Sequence, residues 1–169
     1  MKRHLILVGI SGSGKSTVGR LAAPQLRADF SDIDELIVTG SGQPVAELFA
    51  REGEAQFRRL ERAAMDRALS APPHLIAPGA GWIAEPGNLE TAGDAVLIYL
   101  EISPAAAAAR LAGDATRPLL AEGDRVARLT DMLRTREPWY RKAAATIAAS
   151  GSPEAVAARV VEAGKRLAT

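Results

Sequence analysis

The sequence predicts an α/β protein of three layers, with helices on both faces of a five-stranded parallel sheet. Three observations carry that expectation. Short apolar runs alternate with stretches of helical pattern, as βαβ units require. The first apolar run, residues 5–8, leads straight into the glycine-rich segment Gly9-Ile10-Ser11-Gly12-Ser13-Gly14-Lys15-Ser16-Thr17. A chain of 169 residues, 47% hydrophobic and 24% charged, has the size and balance of one globular domain with a sizeable core, spanning 1–169.

The strand candidates are residues 5–8, 28–31, 75–77, 95–100 and 146–149. Helices are expected to begin near Lys15, Asp34, Pro44, Glu54, Glu90, Pro104, Asp124 and Pro153, the first running to Leu26. Ser103-Pro104 and Ser152-Pro153 place an N-cap before proline at the first helical position. Asp124 is a further cap candidate. Residues 113–123 are bounded by glycines and carry Arg117 beside Pro118 and Leu119. They read as a loop between two helices and a candidate lid.

Composition excludes several classes. A net charge of +1 gives no global field for nucleic acid or an acidic membrane. Without cysteine there are no disulfides, thiol nucleophiles or cysteine metal sites. No apolar stretch approaches the roughly 20 residues that span a bilayer. The start Met1-Lys2-Arg3-His4 has the charge of a signal-peptide n-region, but the apolar run after it ends in the glycine-rich loop. A cytoplasmic protein is expected. His4 and His74, each just before a strand candidate, are expected at the surface with no chemistry.

The loop after the first strand has the spacing G-x-x-x-x-G-K-[ST] of a phosphate-binding P-loop. Glycines let successive N–H groups face one anion, and the helix N-terminus adds partial positive charge. Lys15 would reach the β- and γ-phosphates, and the Ser16 hydroxyl would hold Mg²⁺. Next, Phe30-Ser31-Asp32-Ile33-Asp34 ends the second strand, where ligands of open α/β sheets bind. Asp32 and Asp34, two apart on an extended segment, would point to one side. One could touch the metal's water shell and the other a substrate hydroxyl; either could instead cap the next helix. Arg58 and Glu61, three apart on one helix face, read by themselves as a solvated ion pair beside the apolar stripe of Phe57, Leu60 and Ala64. Gly79-Ala80-Gly81 could admit a ligand close to the backbone or be a plain turn.

Taken in order, G-x-x-G-x-G-K-S-T, F-x-D-x-D, G-E-x-x-F-R-x-x-E, a glycine turn, R-P-L-L and R-x-P-x-Y resemble the shikimate kinase family, small P-loop enzymes of the nucleoside-monophosphate-kinase-like group. The resemblance runs from Leu5 to about Val161. It implies that Lys15 and the backbone from Gly12 through Ser13, Gly14 and Ser16 to Thr17 bind ATP phosphates. Ser16, with Asp32 through water, would hold Mg²⁺. Asp34 would orient the attacking hydroxyl. Arg58 and Arg136 would clamp the shikimate carboxylate, and Gly79, Ala80 and Gly81 would contact the substrate through backbone. Phe49, Phe57, Pro118 and Leu119 would wall the pocket, whose subregion is about 32–62. Arg117 would close over the phosphates, and Arg110 with the loop around Pro153 would sandwich the adenine. Lys15, Asp34 and Arg117 are thus the implied catalytic residues. A monomer acting on ATP and a small hydroxylated carboxylic acid is expected, with neither nucleic acid nor membrane as partner. A kinase for gluconate or another polyol acid, or a non-catalytic nucleotide-binding regulator, are the alternatives.

The family usually has three glycines where this chain has Gly79-Ala80-Gly81, and a small residue where it has Trp82. A positive φ at Ala80 would strain the turn by about 1 kcal/mol or more. Trp82 either packs in the core or reshapes the acceptor site.

Overall fold

The computed structural model describes residues 1–112 and 124–168. Five strands form one parallel sheet in the order β2-β3-β1-β4-β5: β1 (Leu5–Val8), β2 (Phe30–Asp32), β3 (Leu75–Ala77), β4 (Val96–Glu101) and β5 (Ala145–Ala148). Every residue of β1 is buried, as a central strand covered on both faces must be. Leu5 stands beside Leu75 on one side and Val96 on the other. The strand order reverses around β1, so a crevice opens at its carboxyl end.

The helices are α1 (Lys15–Gln25), α2 (Ile33–Ser41), α3 (Val45–Leu69), α4 (Asn88–Thr91), α5 (Pro104–Arg110), α6 (Arg125–Tyr140) and α7 (Pro153–Leu167), with a 3₁₀ turn at Trp82–Ala84. They cover both faces. Gly164 of α7 lies so close to Leu5 that a Cβ there would come within 2.7 Å of its Cδ1. Tyr140 of α6 stacks on Tyr99, with ring centroids 5.1 Å apart. Tyr99 pairs with Val8, three residues beyond Leu5, and side chains alternate along a strand. Hence α6 and α7 lie on opposite faces, and α1, which packs on α7, shares its side.

Ser103, Asp124 and Ser152 cap α5, α6 and α7 as expected. The second strand begins two residues later than 28–31. Arg27 adopts a left-handed φ of 52°, and the N–H groups of Arg27 and Ala28 bond Pro24 and Ala23 carbonyls. This Schellman arrangement spends the start of the apolar run on ending α1. The last two strands are displaced by a single residue. The helices expected at Pro44 and Glu54 are both present, meeting end to end within Val45–Leu69 and divided at Gly53, where φ is 81° and ψ 170°.

His4 and His74 are not surface residues; both are buried. They precede neighbouring strands β1 and β3, so each covers the other, rings edge-to-face at 5.0 Å. The His74 N–H donates to His4 Nδ1 at 3.3 Å, and His74 Nε2 pairs with Ser31 Oγ at 3.0 Å. Trp82 packs in the core, 1% exposed, its carbonyl accepting from Asn88 Nδ2 at 2.8 Å. Ala80 has no positive φ, so the turn carries no strain of that kind. No described helix is long and apolar enough to cross a membrane.

Candidate functional site

Two adjoining cavities open at the carboxyl end of the sheet. The smaller, about 220 Å³, lies against the glycine-rich loop and includes Gly12, Gly14, Lys15, Ser16, Thr17 and Arg110 in its lining. The larger, about 610 Å³, includes Phe49, Phe57, Arg58, Gly79, Ala80, Gly81 and Arg136. Ser16, Asp32, Asp34 and Gly79 line both, and so mark the border between them.

Loop geometry follows from its glycines. Gly12 has φ of 82°, and a Cβ there would lie 2.7 Å from the Ala107 carbonyl oxygen. Gly14 precedes α1 in the left-handed region, φ 92°. Lys15 is buried and donates through Nζ to the carbonyls of Gly9 (2.8 Å) and Ile10 (3.3 Å). Its ammonium is therefore held inside the loop, over the α1 N-terminus. Arg110, the last residue of α5, donates to the Gly12 and Ser13 carbonyls (both 3.4 Å) and to Ala149 (2.5 Å). It spans from the loop to the segment before α7. Pro153 begins α7 and lines neither cavity, and the buried Ser13 also lines neither.

Asp32 and Asp34 share the border, but not through an extended segment. Asp32 ends β2 and caps α2, Oδ1 accepting from the Glu35 N–H at 3.3 Å. Asp34 already lies in the first helical turn. Capping and cavity lining thus coexist at Asp32. Ser16 and Asp32 offer hard oxygen donors in the cavity that holds Lys15, a donor set that fits Mg²⁺ with most of its ligands from water and phosphate. Among the described residues no cluster of three acidic or histidine side chains could hold a metal.

The Arg58–Glu61 pair is not solvated. Arg58 Nη1 donates to Glu61 Oε2 at 2.8 Å, with side-chain exposures of 15% and 1%. Arg58 also meets Glu54 at 3.2 Å and Glu85 at 3.6 Å. Burial raises the Glu61 carboxyl above its ordinary range against the pull of Arg58, with Asp34 and Glu85 adding to the rise. Burial works against the Arg58 charge, but Glu61 and Glu54 more than restore it. The glycines of the 79–81 turn make room for this pair. A Cβ on Gly79 would stand 2.3 Å from Glu61 Oε1, and one on Gly81 2.5 Å from Arg58 Nη2. Phe49 and Phe57 meet with centroids 4.7 Å apart. Arg136 projects from α6 one turn before Tyr140, whose phenol donates to the Ala80 carbonyl at 2.7 Å. Arg117, Pro118, Leu119 and the rest of the candidate lid lie outside the described residues.

The sequence reading did not place Glu61 or Tyr140 at the site. Their signal was present in G-E-x-x-F-R-x-x-E and R-x-P-x-Y, but spacing alone gives neither residue's burial.

A family model described as shikimate kinase matches residues 11–165. The chain belongs to the shikimate kinase family. It is 40% identical to the shikimate kinase of Mycobacterium avium (strain 104) over 144 residues, 85% of this chain and 82% of that one. It is 37% identical to that of Caldanaerobacter subterraneus subsp. tengcongensis over 163 residues, 95% of each. Among solved structures, shikimate kinase from Acinetobacter baumannii in complex with shikimate matches with a TM-score of 0.92 at 30% identity, covering 97% of this chain and 93% of that one. A gluconokinase from Sinorhizobium meliloti shares the fold at a TM-score of 0.58 and 17% identity.

Proposed function

We propose that this shikimate kinase family member transfers the γ-phosphoryl group of ATP to the 3-hydroxyl of shikimate. The observation that carries the reading is the border between the cavities: Asp34 and Ser16 stand between a phosphate cradle and a pocket with two arginines.

Each residue has a part. The loop N–H groups and Lys15 hold the phosphates, and Lys15 opposes charge growing on the transferring group. Ser16 and, through water, Asp32 would hold Mg²⁺, which when bound neutralises the phosphate oxygens. Arg58 and Arg136 present planar forks to the substrate carboxylate. Asp34 orients the attacking hydroxyl and accepts its proton. As the new O–P bond forms, the bond from the γ-phosphorus to ADP breaks. Arg110 and the segment before Pro153 flank the adenine. Arg117 belongs to the proposed lid, which would exclude water as a competing acceptor. A monomer in the cytoplasm, where ATP and a small acid are both dissolved, fits this chemistry.

A coupled ADP-release assay with shikimate, gluconate and other polyol acids tests the reading. Turnover dependent on shikimate is expected. MgATP binding without it would overturn the proposal and leave a polyol-acid kinase or a regulator.

A further inference from the structure

The Tyr140 phenol has no part in the chemistry above, yet it sits behind both walls of the acceptor pocket. Its ring is fully buried and stacked on Tyr99. Its hydroxyl donates to the Ala80 carbonyl at 2.7 Å. Ala80 is the middle of the turn whose flanking glycines lie against Glu61 and Arg58. One hydroxyl therefore joins the turn packed on Arg58 to α6, the helix that carries Arg136 four residues earlier.

We infer that Tyr140 is a positioning residue for the acceptor: its hydroxyl fixes the spacing between the two arginines by tying the 79–81 turn to α6, the helix that carries Arg136. The inference rests on the proposed function only for the identity of the acid that the arginines grip. The physical argument is independent of it. Two guanidinium groups that share one carboxylate must be held a set distance apart. Arg58 is held on α3 by Glu61, whereas Arg136 projects from a different helix. Between those helices the pocket wall is the turn, and the turn is bonded to α6 through Tyr140. Ala80 makes the connection through its carbonyl, with no positive φ.

Tyr140→Phe keeps the ring and the stack and removes the hydroxyl. The expected result is a shikimate KM raised about fivefold, as for one lost hydrogen bond, with kcat and the ATP KM within about twofold of the parent. Tyr99→Phe is the control. Its hydroxyl is buried with no hydrogen-bond partner among the described residues, so both KM values should stay unchanged. A second readout needs no acceptor: amide exchange at Trp82 and Ala84, bonded within the turn to Gly79 and Gly81, should speed up in Tyr140→Phe and not in Tyr99→Phe. Unchanged exchange in Tyr140→Phe would overturn the inference, as would equal rises in both KM values. A parent enzyme inactive on shikimate would instead overturn the proposed function, and the exchange experiment would still decide the role of Tyr140.

Discussion

The two halves of the site are built by different rules. The proposed donor half is a continuous stretch, Gly9 to Thr17, shaped by its backbone φ values. The proposed acceptor half gathers Asp34 from α2, Arg58 from α3, the turn after β3 and Arg136 from α6. It presents side chains, and it pairs the buried Glu61 carboxylate with Arg58. A local device fails when its backbone cannot adopt the needed shape. An assembled device fails when one partner leaves another unpaired. The two halves should therefore break differently.

The largest effect is expected where they meet. Asp34→Asn should lower kcat by about 10²–10⁴-fold, the range of a lost general base, while equilibrium titration finds ATP affinity within about twofold. A parallel loss of ATP affinity would erase the division drawn here. Next come the arginines. Arg58→Ala and Arg136→Ala should each raise the shikimate KM roughly 10- to 100-fold, one or two charge-assisted hydrogen bonds being lost. Only Arg58→Ala should also cost stability, up to about 3–5 kcal/mol in denaturant unfolding, because Glu61 stays buried without its cation. That deficit should shrink at acid pH, where a protonated Glu61 has no charge to strand. Equal stabilities for the two variants would mean that Glu61 does not depend on Arg58.

Glycine replacements sharpen the same contrast. In Gly12→Ala the new methyl meets a backbone carbonyl at a positive φ and has nowhere to go, so ATP affinity should fall by about tenfold or more. In Gly81→Ala it meets the end of Arg58, which can shift, so the shikimate KM should rise by only a few-fold with ATP affinity unchanged. The smallest effect lies at the far end of the sheet. Burial, with His74 beside it, lowers the His4 pKa below its ordinary 6.5. The unfolded chain then binds the extra proton more readily, so stability is full above pH 6.5 and falls as pH drops below it. His4→Asn, which can still accept from the His74 N–H, should flatten that slope from about pH 6.5 downward.

Legibility in the sequence followed the same divide. The P-loop was readable because its function is encoded in nine adjacent residues. The strands were readable as apolar runs, except where Ala28 was taken by the end of α1. Asp34, Arg58 and Arg136 could be named only from the ordered motifs, since nothing local to Arg58 distinguishes a buried pair from a solvated one. His4 and His74 were misread for a related reason. Each looks like a polar residue ahead of a strand, and only the pairing of β1 with β3 brings the rings together. Nothing in the spacing of Ala80 signals that its carbonyl accepts from Tyr140, sixty residues away.

The interruption at Gly53 has a consequence for the pocket wall. Phe49 and Phe57 lie eight residues apart, about 12 Å along the axis of an uninterrupted helix. Side chains on one helix all lean towards its N-terminus, so two rings on a straight rod could not close that gap. Their centroids are nevertheless 4.7 Å apart. One residue outside helical geometry kinks the rod and turns two distant rings into a corner. The shape of this pocket wall is thus written as a fault in a periodic element, at a position that lines neither cavity and carries no side chain.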